Sequence, residues 1–208
     1  MAAVPRVLLV RHGRAAASFG EDRDPPLSEI GQAQAEAMAL SLPPLESLTV
    51  VTSPLRRTRE TAAAVERRFG VKARVEAAVA EVPSPPGTTR EPGSGTAPST
   101  GPPGGSAGPT SLAWRGPWLS DLLARRWEEV DPFVVEWRDR VLAALASLET
   151  DTVVVTHFVA INVAVGRATR DPRVACCQPD YCSRTAVAVE AGRWSLLELG
   201  AQAPSAVG

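Results

Sequence analysis

Histidine and cysteine are both scarce in this chain of 208 residues, which has two of the first and three of the second. The cysteines, Cys176, Cys177 and Cys182, lack the spacing of a zinc site. With so few histidines to join them, no metal centre is expected. An odd number of thiols in a chain with no recognisable leader reads as reduced cysteine, packed as small apolar residues near a strand. Long apolar runs are missing as well. Residues 1–10 carry one charge, Arg6, and an apolar stretch too short for a secretory signal. No run approaches the ~18 residues of a membrane span. The chain is therefore expected in the cytoplasm, with no membrane partner. Nor is there an excess of charge of either sign. The 22 basic and 23 acidic residues give a net charge of −1, so no general attraction to nucleic acid is expected. No internal repeat is visible. With 44% of residues hydrophobic, the chain has enough apolar surface for the core of a single domain spanning 1–208.

What is present is an alternation of short apolar runs with helical patterns. Residues 6–10 read as a buried strand that ends at Arg11-His12-Gly13. Ser28 is placed to cap a helix that Pro43-Pro44 stops. Residues 48–52 form a second strand, after which Ser53 caps a helix with Pro54 at its first position and Gly70 past its end. Residues 73–76 allow a short third strand. From 83 to 110 the composition turns to Pro, Gly, Ser and Thr, too poor in apolar side chains to offset ordering entropy, and a flexible insertion or lid is expected there. Helices are expected at 118–129 and 133–148, with Trp127, Val130, Val134, Trp137, Val141 and Leu145 as a core stripe. A strand at 152–156 ends at His157 and a helix follows at 159–168. The segments 184–190 and 194–199 form a hairpin about Ala191-Gly192. This order implies a three-layer α/β/α sandwich with a mostly parallel central sheet and an antiparallel edge.

The chain's two histidines, His12 and His157, each stand directly after an expected strand. In open α/β sheets ligands bind beyond the carboxyl ends of the strands, so the two converge on one site. Each would otherwise read as a loop histidine with local bonds. A third strand end leads to Ser53-Pro54-Leu55-Arg56-Arg57. The arginine fork is suited to phosphate oxygens, and a helix N-terminus adds backbone donors. Arg56 reads as a solvated surface residue.

These residues carry a resemblance. Arg11-His12-Gly13 after a strand resembles the RHG signature of the histidine phosphatase (phosphoglycerate mutase-like) superfamily. Residues 24–35 resemble its "D-x-P-L-T-x-x-G-x-x-Q-A" segment, residues 53–62 its "S-P-L-x-R-A-x-x-T-A" segment, and Val155-Thr156-His157 its second histidine strand. Four motifs in the right order are far more specific than the tripeptide alone. The match covers residues 6 to about 70 and 151 to about 199. The resemblance implies a metal-independent phosphoric monoester hydrolase of the histidine acid phosphatase type, with no cofactor and a small phosphate ester as substrate. His12 would become phosphohistidine, with Arg11, Arg57 and His157 around the phosphoryl oxygens and Gly13 beside them. Glu81 stands where the family places its proton donor. Glu76 is an alternative, while Glu91 sits in the Pro/Gly-rich stretch, a poor mount for an acid. Ser18 stands where many relatives carry a phosphate-contacting Asn, and Phe158 where they carry Gly, so its phenyl would wall the pocket. Arg14 replaces a frequent Glu or Gln. The segment after Glu81 lacks the aromatic-rich pattern of many family phosphatases. Two other readings stand beside hydrolysis: a phosphoglycerate mutase-type transferase, and a non-catalytic phosphate- or phosphoprotein-binding module. Substrate identity and oligomeric state are not legible.

Overall fold

The computed structural model describes residues 4–18, 20–43, 48–86 and 114–203. Most of the insertion expected at 83–110 lies outside the described residues. The strands are β1 (Arg6–Arg11), β2 (Thr49–Thr52), β3 (Arg74–Val75), β4 (Thr152–Thr156), β5 (Arg184–Glu190) and β6 (Arg193–Glu198). They form one six-stranded sheet in the order β3-β2-β4-β1-β5-β6. The first four strands in that order run parallel, and β5 and β6 add the antiparallel edge. Ala191 and Gly192 turn the last hairpin with φ of 48° and 78°, the pair of positive values that a tight two-residue hairpin loop needs.

The helices are α1 (Glu29–Ser41), α2 (Arg56–Phe69), α3 (Arg115–Ala124), α4 (Pro132–Ala146) and α5 (Phe158–Thr169). Alternation along the strands sorts the core into two layers. Val7, Leu9, Val51 and Val154 face a cluster with α3, α4 and α5. Val10, Val50, Val153 and Val155 face one with α1 and α2. All five residues of β4 are buried, as befits an interior strand covered on both faces. The expected α/β/α sandwich is the observed one. No helix among the described residues is long and apolar enough to cross a membrane.

Two expectations are corrected. Ser53 does not cap α2. Leu55 holds that position in an extended conformation without a side-chain cap, and the chain bends at Pro54-Leu55, which leaves Ser53 just past the carboxyl end of β2. The helix expected at 118–129 begins earlier and ends at Ala124. The chain beyond it pairs with the segment before β5, through Trp127 N–H to Pro172 O (2.9 Å) and Val174 N–H to Arg125 O (2.9 Å). Trp127 and Val130 therefore pack against the core from a turn, while Val134, Trp137, Val141 and Leu145 form the buried face of α4.

Candidate active site

Three parallel strands end side by side, and the ladder continues past them. His12 N–H donates to Thr156 O (3.0 Å) and Ser53 N–H to Val155 O (3.1 Å). This brings Arg11-His12, Ser53 and His157 together from three distant parts of the chain. Two glycines let the turn after β1 press on the start of α1. A Cβ on Gly13 would collide with the carbonyl of Gly31, and one on Gly31 with that of Arg14. Ser28 locks the contact. Its hydroxyl donates to Arg14 O (3.1 Å) and accepts from Gly31 N–H (3.1 Å), so it is both the cap of α1 and a clamp on the His12 loop. Gly13 N–H donates to Thr61 Oγ1 (3.1 Å).

Arg57 sets the protonation pattern of both histidines, because a guanidinium can only donate. Its Nε lies 3.2 Å from His12 Nε2, so that nitrogen carries a lone pair and Nδ1 carries the hydrogen, donated to Gly13 O at 2.7 Å. Its Nη2 lies 3.3 Å from His157 Nδ1. The Nε2–H of His157 then faces Ser53 Oγ at 2.8 Å. The rings meet edge to face with centroids 5.2 Å apart. His12 is 7% exposed and His157 0%. Burial first, then the Arg57 charge, holds both imidazoles well below the usual histidine range.

Arg11 is 4% exposed. Its Nη1 donates to Pro179 O (2.8 Å), and its guanidinium lies 4.0 Å from the Tyr181 ring centroid and 5.3 Å from that of Phe158. Its Nε is buried with no hydrogen-bond partner among the described residues, which leaves a donor for a bound anion. Glu81 follows a 3-10 turn (Ala77–Val79) that is pinned from two sides. Thr156 Oγ1 donates to Val79 O (2.6 Å) and Trp137 Nε1 to Ala80 O (3.2 Å). The Glu81 carboxyl accepts from Val82 N–H (3.0 Å). Burial pushes its pKa up, against the pull of Arg57 and Arg11.

Arg11, His12, Arg57, Glu81, Ser18 and Phe158 line one cavity, with Ser18 at its exposed rim, and His157 sits behind Arg57 as a fully buried neighbour. Glu76 is elsewhere. It caps the 3-10 turn through Ala78 N–H (3.1 Å) and pairs with Arg74 (2.8 Å). Glu91 lies outside the described residues. Among those residues no three His, Cys, Asp or Glu side chains gather as a metal-binding group.

Sequence reading missed Tyr181, Asp22 and Leu119 in the cavity wall and the contact of Ser53 with His157. Tyr181 was findable by topology. It precedes β5, which runs antiparallel to β1, so the start of β5 must lie beside the end of β1, where His12 stands.

Residues 7–84 match the family model of the histidine phosphatase superfamily (branch 1), the family that the motifs resemble. A search of curated proteins gave no significant match. Among solved structures, mycobacterial glucosyl-3-phosphoglycerate phosphatase in complex with VO3 superposes with a TM-score of 0.67 at 22% identity, covering 95% of this chain and 100% of that one. A Mycobacterium tuberculosis open reading frame product, Rv3214, gives 0.63 at 22%, covering 95% and 98%. A putative alpha-ribazole-5'-P phosphatase from Escherichia coli gives 0.64 at 16%, covering 99% of each chain. The fold is the phosphoglycerate mutase-like one.

Proposed function

We propose that this chain hydrolyses phosphate monoesters through a phosphohistidine on His12, without a metal ion. The observation that carries the reading is the state of His12: a buried neutral imidazole whose Nδ1–H is held by Gly13 O and whose Nε2 lone pair faces Arg57, with the buried Arg11 lining the same cavity. This is the form a nitrogen nucleophile needs, and it is set by fixed cations of the sign that draws a phosphoryl group.

In the first step the Nε2 lone pair attacks phosphorus, the P–O bond to the leaving group breaks, and Glu81 gives its proton to the departing oxygen. Arg57 and Arg11 turn donors to the phosphoryl oxygens, with Arg57 exchanging its histidine contacts for them. In the second step water attacks phosphorus, its proton passes to the Glu81 carboxylate, and the P–N pair returns to His12. The raised pKa of Glu81 suits a group that begins as an acid. The charge compensation in both steps comes from the arginines, so no metal is assigned.

The test is phosphate release from a panel of phosphomonoesters with chelator present, for wild type, His12→Ala and Glu81→Gln. Chelator-resistant release, abolished in His12→Ala and accompanied by an acid-labile phosphoenzyme in wild type, is expected. Glu81→Gln should slow alkyl esters by about 10²–10⁴-fold and p-nitrophenyl phosphate much less. Release that survives His12→Ala, or that chelator abolishes, refutes the proposal.

A further inference from the structure

Arg11 is buried against neutral partners. Its Nη1 donates to a carbonyl, Pro179 O, and its guanidinium lies over the ring of Tyr181 at 4.0 Å and that of Phe158 at 5.3 Å. A carboxylate in the place of those rings would take up the N–H donors and repel a phosphoryl dianion. A ring face attracts the cation through its quadrupole and leaves the N–H groups in the guanidinium plane free. Arg11 Nε is such a free donor, buried and without a hydrogen-bond partner among the described residues.

Tyr181 is the only tyrosine of the chain, and it reaches Arg11 from a turn held under strain. Residues 180–183 close on Ser183 N–H to Asp180 O (3.1 Å). Cys182, the third residue of that turn, has φ of 56°, a left-handed value at which glycine is the usual residue. The turn grips the backbone of Arg11 from both sides, through Cys182 N–H to Arg11 O (3.0 Å) and Arg11 N–H to Ser183 O (3.3 Å). The segment leading into it is anchored too. Asn162, fully buried in α5, accepts from Cys176 N–H and Cys177 N–H at 2.8 Å each. Gln178 O accepts from Ala203 N–H (2.7 Å), and Asp180 N–H donates to Ala201 O (2.8 Å). Strain of this kind persists only where the surroundings over-determine it. What these contacts fix is a single aromatic ring over Arg11, with its centroid 6.0 Å from that of His12.

We propose that Tyr181 is a positioning residue for phosphoryl transfer: its ring face fixes the plane of the Arg11 guanidinium so that Nε meets a phosphoryl oxygen. The ring acts through Arg11, and the phenolic hydroxyl takes no part. This inference rests on the reading of the His12 cavity as the phosphoryl site.

The test is a double-mutant cycle on wild type, Tyr181→Phe, Tyr181→Leu, Arg11→Lys and the Tyr181→Leu/Arg11→Lys double variant. Inorganic phosphate and vanadate are titrated calorimetrically into each protein, and kcat/KM is measured for p-nitrophenyl phosphate and an alkyl phosphate. Tyr181→Phe keeps the ring face and should stay within about twofold of wild type in every reading. Tyr181→Leu removes the face and should weaken both anions by about five- to thirtyfold. It should slow both esters by the same factor, because the phosphoryl oxygens, not the leaving group, lose a donor. In the Arg11→Lys background the same substitution should have less than about twofold effect. Should Tyr181→Leu fail to fold, Tyr181→Met removes the ring in its place. Equal losses in Tyr181→Phe and Tyr181→Leu would assign the role to the hydroxyl and overturn the proposal. An effect of Tyr181→Leu that persists undiminished beside Arg11→Lys would assign it to packing and overturn it as well, as would wild-type protein that binds neither anion. If the anions bind with the expected coupling but no ester is hydrolysed, the hydrolase reading alone fails.

Discussion

Arg57→Met isolates the claim that one guanidinium both binds the phosphoryl group and keeps the nucleophile neutral. Methionine retains an unbranched apolar stem of similar reach, and Arg57 is 6% exposed, so its replacement leaves the surface of α2 unaltered. Two effects should appear together. Loss of a preorganised donor to the transition-state oxygens costs about 2.7–4 kcal/mol, or roughly 10²–10³-fold in kcat. In addition, the Arg57 charge is the largest cause after burial of the low pKa of His12 and of His157. Its removal must raise both, so the acid limb of the pH–rate profile should move to higher pH. The assay is kcat/KM for p-nitrophenyl phosphate against pH, run beside an NMR titration of the imidazole protons. The chain has two histidines, so two ring signals report the whole site. In wild type neither should titrate in the ordinary imidazole range, and in Arg57→Met both should move towards it. A rate that falls while the acid limb and both ring titrations stay in place would refute the coupling between phosphate binding and nucleophile protonation. Ordinary titration of His12 in wild type would refute the neutral-nucleophile argument itself.

Three other outcomes follow from the same contacts. Trp137→Phe deletes the bond from the indole to Ala80 O, which should cost about 1 kcal/mol of stability and slow alkyl esters more than p-nitrophenyl phosphate, because the Glu81 mount is loosened; equal slowing of both would argue against that role. Gly13→Ala drives a methyl into the Gly31 carbonyl and should destabilise by about 1–3 kcal/mol or more with loss of turnover, so a wild-type melting temperature and rate would contradict the close approach. Because both histidines are held neutral, the unfolded chain binds more protons than the folded one below the ordinary imidazole value of 6.5. Stability should therefore fall as pH drops through that value, by up to about 1.4 kcal/mol per pH unit for each histidine. Glu81, whose pKa is raised, acts with the opposite sign from its ordinary value of 4.5 upward. Urea unfolding at pH 7.5 and pH 5.5, run on wild type and on Glu81→Gln, separates the two contributions, and equal stability at both pH values in Glu81→Gln would count against neutral burial of the pair.

Much of the scaffold was legible because it is written in local patterns. The strand ahead of His12, the Ser28 cap and the left-handed Gly70 with φ of 66° each depend on a few consecutive residues. The convergence of His12 with His157 was legible for a different reason: parallel strands with buried runs must lie together, and their carboxyl ends share one side of the sheet. The failures are long-range. Ser53 has the residue type of a cap, and nothing in its neighbourhood reveals that His157, 104 positions away, claims its hydroxyl. Residues 125–130 continue the apolar pattern of α3, but pairing with 172–174 ends the helix.

In the proposed mechanism the arrangement answers a difficulty built into histidine as a phosphoryl acceptor. An imidazole that attacks phosphorus must be unprotonated, yet the site must hold enough positive charge to retain a dianion. Negative partners near His12 would help neither need, because they raise its pKa and repel the substrate. Two buried arginines meet both, since the same charge that attracts phosphate disfavours imidazolium. Their own burial is costly, and it is offset locally: Arg11 has Pro179 O and the Tyr181 face, and Arg57 has the imidazole nitrogens of His12 and His157 and the electrostatic attraction of Asp24. Glu81 can remain in such company only because burial favours its protonated form and opposes the arginines' pull. In that proposal the substrate supplies the anion that these cations match, and the electrostatic balance improves most where negative charge grows, on the phosphoryl oxygens of the transition state.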